Sequence, residues 1–208
     1  MAQIFLGIRR RAYTLYFAYG SNMFTPRLRL RVSSATPVAI GYVRRRCLRW
    51  DKRSTDGSGK CTIDTTLQSR ATVWGVLFLL KTSEKPQLDQ AEGLGKGYAD
   101  QRVEVVTGTG VVIATTYVAT VRSPDLRPYE WYKAFVVAGA RLNKLPRRHL
   151  LQLKRCPSVT DPSKSRATSN GEILAERLFA GSGKREHQAP TLRGIVVRVR
   201  RPSARSVA

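Results

Sequence analysis

Acidic residues, histidines and cysteines are all scarce in this chain. Fourteen Asp and Glu stand against thirty-seven Lys and Arg, a formal net charge of +23 on 208 residues. Such an excess invites a polyanion or anionic-surface partner. It is not gathered on one arm, however: residues 1–12 carry 3 basic residues and no acid, residues 13–156 carry 24 and 10, and residues 157–208 carry 10 and 4. Runs such as Arg27, Arg29, Arg31 and Arg198, Arg200 alternate with apolar residues, as solvated faces of ordinary strands do. His149 and His187 are the two histidines, and Cys47, Cys61 and Cys156 the three cysteines. None has CxxC spacing or clusters into a four-ligand set, which disfavours a metal site and a disulfide framework and favours a reducing compartment. So few histidines also weaken Ser-His and Cys-His nucleophile schemes. His149, beside Arg147 and Arg148, reads as an exposed helix residue. No apolar run approaches the ~20 residues of a membrane span. The short run Ile4–Ile8 precedes Arg9–Arg11, the reverse of a secretory signal. A soluble, cytoplasmic protein without a membrane partner is expected. No fixed-period repeat is visible.

What is present is enough apolar sequence, 42% of residues, for one well-packed domain. Tyr13–Tyr19 reads as an aromatic-rich strand ended by Gly20-Ser21-Asn22. Met23–Arg31 predicts a short helix with Thr25 as its cap and Pro26 at its start. Val38–Trp50 and Cys61–Thr66 read as strands. Ala71–Leu80 is apolar on both faces and predicts a central, doubly buried strand. Ser83–Ala91 predicts a helix capped by Ser83, followed by the glycine-rich turn Gly93–Gly97. Gln101–Val106 and Val111–Val121 pair as a hairpin across Thr107–Gly110. Tyr129–Leu142 places Tyr132, Phe135, Val136 and Gly139 at helical spacing, and Pro146 starts a second helix to Arg155. Residues 157–171 and 181–190 are polar, and Glu172–Ala180 and Leu192–Arg200 read as one helical and one extended segment. The division is a basic lead (1–12), a catalytic-size domain (13–156) and a basic, loosely ordered extension (157–208). Strand-helix alternation is irregular, so an α+β class is expected: a small mixed β-barrel or strongly curved sheet flanked by helices.

Two segments carry chemistry. A strand ending in Gly20-Ser21-Asn22 gathers backbone N–H groups into a concavity suited to a carboxylate or oxyanion. A helix ending in Glu92 before Gly93 puts a carboxylate where the macrodipole prefers a cation, which tends to raise its pKa and suits a general base. Asp89 on the same helix competes for that role on spacing alone.

In this order and at these intervals, Phe17-Ala18-Tyr19-Gly20-Ser21-Asn22-Met23, Trp74-Gly75-Val76-Leu77, Leu88-Asp89-x-x-Glu92-Gly93, Tyr132-Lys133, Gly139-Ala140 and Leu145-Pro146 resemble the γ-glutamylcyclotransferase family. The likeness covers Tyr13 to about Arg155. It implies an enzyme without metal or cofactor, acting on a small γ-glutamyl substrate. The α-amino group attacks the γ-carbonyl of a γ-glutamyl amide, releasing 5-oxoproline and a free amine. Glu92 is then the general acid/base, Tyr16, Phe17, Ala18, Tyr19, Gly20, Ser21 and Asn22 form the substrate pocket, and Tyr98 and Tyr132 contact the substrate. The Gly93–Tyr98 loop near the leaving group is slightly shorter than in relatives, and the basic extension is longer. A second reading is a non-catalytic basic protein on the same scaffold, recognising nucleic acid or an acidic carrier, partly through its tail.

Overall fold

In the computed structural model, which describes residues 12–180, the strand β5 (Thr72–Lys81) lies at the centre of the sheet. It pairs antiparallel with β1 (Tyr13–Ala18) on one side and β2 (Thr36–Arg44) on the other. Burial from both faces explains its unbroken apolar run. The hairpin β6 (Tyr98–Thr107) and β7 (Gly110–Ala119) adds to β2, and β7 returns parallel to β1 at Tyr16 and Thr115. The order β1-β5-β2-β6-β7 therefore closes into a mixed five-stranded barrel, which leaves the main sheet no free edge. A two-stranded ribbon, β3 (Arg46–Arg53) and β4 (Gly59–Thr65), stands beside it. The fold is α+β.

The helices are α1 (Thr25–Arg29), α2 (Lys85–Glu92), α3 (Glu130–Leu142), α4 (Arg147–Arg155) and α5 (Lys164–Ala180). On α3 the residues Tyr132, Phe135, Val136, Gly139 and Ala140 are buried, the one-sided stripe their spacing predicted. Gly139 has a special role. A Cβ placed there would lie 2.5 Å from both Met23 C and Phe24 N, so only glycine lets α3 touch the turn Ser21–Met23. Asn143, just past α3, donates to the Met23 carbonyl at 2.9 Å and fixes the same contact. Among the described residues no helix is long and apolar enough to cross a membrane.

Several local expectations change. The segment Val38–Trp50 is two strands, because Arg45 adopts a left-handed conformation (φ 53°) and turns the chain out of the barrel into the ribbon. Phe24, not Thr25, precedes α1, and Ser83 lies in a 3-10 turn ahead of α2; neither helix has a side-chain cap. The polar stretch after Pro157 is not loose as far as Ala180. Val159 pairs with Tyr129, and Asp161 accepts from Trp131 Nε1 (2.7 Å), from Arg166 and from the Ser163 backbone, which starts α5. The segments 181–190 and Leu192–Arg200, His187 and the lead before residue 12 lie outside the described residues.

His149 is buried on α4, not exposed, and its Nε2 has no partner among the described residues. Burial lowers its pKa from 6.5 to about 4. The unfolded chain therefore binds the extra proton first. Stability is full above pH 6.5 and falls as pH drops through the window to 4, by about 3 kcal/mol at most. Urea unfolding between pH 7.5 and 4.5 should show this slope, and His149→Leu should flatten it; equal slopes would remove His149 as the cause. Gly139→Ala should lower stability by about 1–3 kcal/mol. Gly171→Ala on α5, where an added Cβ meets nothing within 4 Å, should not lower it.

Candidate active site

β1 ends at Ala18, and Tyr19-Gly20 leads into the 3-10 turn Ser21–Met23. α2 ends beside it. Gly93 takes φ 72° and stops α2 one residue after Glu92, its N–H reaching the Gln90 carbonyl and the Leu94 N–H the Asp89 carbonyl. Between these two ends lies a small open pocket lined by Tyr16, Tyr19, Gly20, Ser21, Asn22, Cys61, Glu92, Tyr98, Tyr117 and Tyr132.

Glu92 is the one carboxylate in that lining. Its Oε1 accepts from Asn22 Nδ2 at 2.9 Å and from Arg31 at 2.5 Å. Asn22 Nδ2 also donates to the Tyr16 hydroxyl (2.9 Å), and Arg31 also donates to Asn22 Oδ1 (3.1 Å). Both bonds to Glu92 fall on Oε1, leaving Oε2 without a protein partner among the described residues. Asp89, the competing acid, is engaged behind the wall: its Oδ1 accepts from the Tyr117 hydroxyl at 2.6 Å and from Lys85.

The other walls are uncharged. Burial pushes the phenols of Tyr16, Tyr19, Tyr98, Tyr117 and Tyr132 above the ordinary tyrosine value, and it pushes the Cys61 thiol up as well. A thiol held protonated is a poor nucleophile. Two tyrosines frame Cys61: Tyr98 donates to its carbonyl (2.7 Å), while Tyr132 accepts from its N–H (3.0 Å) and so keeps its own proton out of that bond. Among the described residues no group of three or more His, Cys, Asp or Glu could hold a metal ion.

The sequence model of the AIG2-like family matches residues 72–153. γ-Glutamylcyclotransferase of Homo sapiens is 33% identical over 146 residues, covering 67% of this chain and 77% of that protein. The chain belongs to the γ-glutamylcyclotransferase family. It is an enzyme of this type. The Bos taurus γ-glutamylcyclotransferase is likewise 33% identical, over 138 residues that cover 64% of this chain and 72% of that protein. A solved structure titled γ-glutamyl cyclotransferase superposes with a TM-score of 0.72 at 27% identity, covering 79% of this chain and 99% of the other.

Within this γ-glutamylcyclotransferase fold, Tyr16, Tyr19, Gly20, Ser21, Asn22, Glu92, Tyr98 and Tyr132 come together around the pocket. Phe17 and Ala18 do not line it. Strand alternation turns Phe17 into the core against Gly75, and Ala18 pairs with Val76 with its side chain fully buried. Tyr117, Cys61 and Arg31 escaped the sequence reading. Tyr117 sits inside an ordinary alternating strand. Arg31 sits in a basic run, although it follows Asn22 by only nine residues.

Arg31 and Glu92 are mostly buried, at 24% and 15% side-chain exposure. Arg31→Met should therefore cost about 1–3 kcal/mol of stability by stranding the carboxylate. In a double-mutant cycle with Glu92→Gln the two losses should couple rather than add; strict additivity would mean that the pair contributes nothing.

Proposed function

We propose that this enzyme converts a γ-glutamyl amide into 5-oxoproline and a free amine, with Glu92 moving the proton. The observation that carries the reading is the pocket itself: one carboxylate, oriented by Asn22 and Arg31, facing walls of neutral phenols. The human relative, named γ-glutamylcyclotransferase, supports it.

The chemistry follows from that arrangement. The α-amino nitrogen of the γ-glutamyl group attacks its own γ-carbonyl carbon and closes a five-membered ring. Intramolecular attack needs no enzyme nucleophile and no water, only a folded-back substrate; holding that geometry can replace on the order of 7–11 kcal/mol of barrier. The nucleophile enters as an ammonium with three hydrogens and ends as a ring nitrogen with one, so it must lose two protons. Glu92 Oε2 takes the first before attack and passes it to the departing nitrogen as the C–N bond breaks; it takes the second from the ring nitrogen and passes it to the released amine, which leaves as an ammonium. Bonds and protons then balance, and the carboxylate is regenerated. The backbone N–H groups that open the turn at Gly20-Ser21-Asn22 precede its first 3-10 hydrogen bond and have no backbone partner among the described residues, which suits them to hold the α-carboxylate or the developing oxyanion. Tyr132, with its proton outside the Cys61 bond, is a donor at the pocket wall.

Glu92→Gln keeps the size and one acceptor oxygen and removes the base. Release of 5-oxoproline from a γ-glutamyl amino acid should fall at least about 10²–10⁴-fold, with the folded protein retained by circular dichroism. Full activity in this variant would remove Glu92 from the mechanism.

A further inference from the structure

Asp161 lies between α4 and α5. Among the described residues it is the only fully buried acid, and its side chain has no solvent exposure. Four donors converge on it. Oδ2 accepts from Trp131 Nε1 and from Arg166 Nε, both at 2.7 Å. Oδ1 accepts from Arg166 Nη2 at 2.6 Å and from the Ser163 N–H at 2.8 Å. The Arg166 guanidinium holds the carboxyl well below the ordinary carboxylate range, so the acceptor stays charged at neutral pH.

Arg166 and Ser163 belong to the start of α5 and would suffice to begin that helix. The bond to Trp131 does something else, because it crosses to the first turn of α3. An indole has two torsions to settle, and a bond to a fixed carboxylate settles both. Trp131 is followed by Tyr132, and the two rings meet edge to face, their centres 6.0 Å apart at 82°. The Lys60 ammonium touches both rings, 4.4 Å from the centre of Trp131 and 4.6 Å from that of Tyr132. Trp131 is thus pinned on one edge by Asp161 and presses on Tyr132 with another.

Tyr132 carries the arrangement into the pocket. Its hydroxyl accepts from the Cys61 N–H at 3.0 Å, and a Cβ at Gly20 would lie 3.2 Å from it. The hydroxyl therefore stands against the turn whose N–H groups open the anion site. A donor aimed at charge that develops during reaction is effective only while it is held in place, and the holding is done by the groups behind it. We propose that Asp161 is a positioning residue for the reaction: through Trp131 it keeps the Tyr132 hydroxyl at the Gly20 turn, where that hydroxyl donates to the oxyanion formed on the γ-carbonyl. This rests on the γ-glutamyl reading above. The start of α5 is then part of the active-site framework, not an appendage to the barrel.

The test is a double-mutant cycle on the full chain, with 5-oxoproline release from γ-glutamyl-L-alanine as the readout. Tyr132→Phe keeps the ring and removes the donor, and kcat should fall about 10²-fold. Asp161→Ala should lower kcat about tenfold with KM changed less than about twofold. In the Tyr132→Phe background the same Asp161→Ala change should lower kcat by less than about twofold, because the group it positions is already gone. Trp131→Phe keeps a ring and leaves the Asp161–Arg166 pair intact; it should reproduce the tenfold loss and the same coupling, and it decides the matter if Asp161→Ala does not fold. An unchanged kcat in Asp161→Ala or Trp131→Phe overturns the proposal and leaves the γ-glutamyl reading intact. So does a loss of the same factor in both backgrounds, as general loosening of the fold would produce. If the wild type releases no 5-oxoproline, the γ-glutamyl reading fails and the Asp161 assignment falls with it.

Discussion

One amide group ties the site together. Asn22 donates to Tyr16 on β1 and to Glu92 at the end of α2, and it accepts from Arg31 beyond α1. The strand end, the segment after α1 and the distant end of α2 are thereby locked in one hydrogen-bonded unit. Such a network holds only if its backbone is fixed. The fixing comes from outside the site: Gly139 allows α3 to press on the turn, Asn143 holds the Met23 carbonyl, and Gly93 ends α2 just where Glu92 must stop. Packing that looks remote from the pocket sets the position of its one acid.

The electrostatics follow the same constraint. A carboxylate at a helix C-terminus faces the negative end of the macrodipole and needs donors to stay there. Asn22 and Arg31 supply them, and both approach Oε1. The rest of the lining stays neutral because burial keeps the phenols and the Cys61 thiol protonated. With the walls uncharged, the charge in the pocket lining is that of Glu92, held against its partner Arg31. The charge of +23 on the chain is widely spread, and little of it enters the pocket lining.

How much of this was legible in the sequence depends on how local each signal is. The central strand declared itself because burial on both faces leaves an unbroken apolar run. The hairpin showed in its glycine turn, and α3 in its helical stripe. The ends of β1 and α2 were marked by Gly20-Ser21-Asn22 and Glu92-Gly93. The break at Arg45 was not legible, since an arginine in a left-handed conformation carries no composition signal. The helix α5 was hidden by its polar composition, because what docks its start is Asp161 reaching Trp131 and Arg166. His149 looked exposed from its basic neighbours, and tertiary packing overrode them. Arg31 and Tyr117 were invisible for a common reason: their significance lies in partners 61 and 28 residues away, which only the closed barrel brings near.

The proposed reaction explains why such a site can be small. When nucleophile and electrophile belong to one molecule, the protein need not build a covalent intermediate or activate water. It has to fold the substrate back, exclude competing charges and carry protons from one nitrogen to the other. A single oriented carboxylate among neutral hydroxyls meets those needs. A second acid would compete for the ammonium, and Asp89 is kept from doing so by its bonds to Tyr117 and Lys85. The γ-glutamyl half then meets the same turn and the same acid whatever is attached to it. Selectivity must come from the part of the pocket that the cyclising half does not touch.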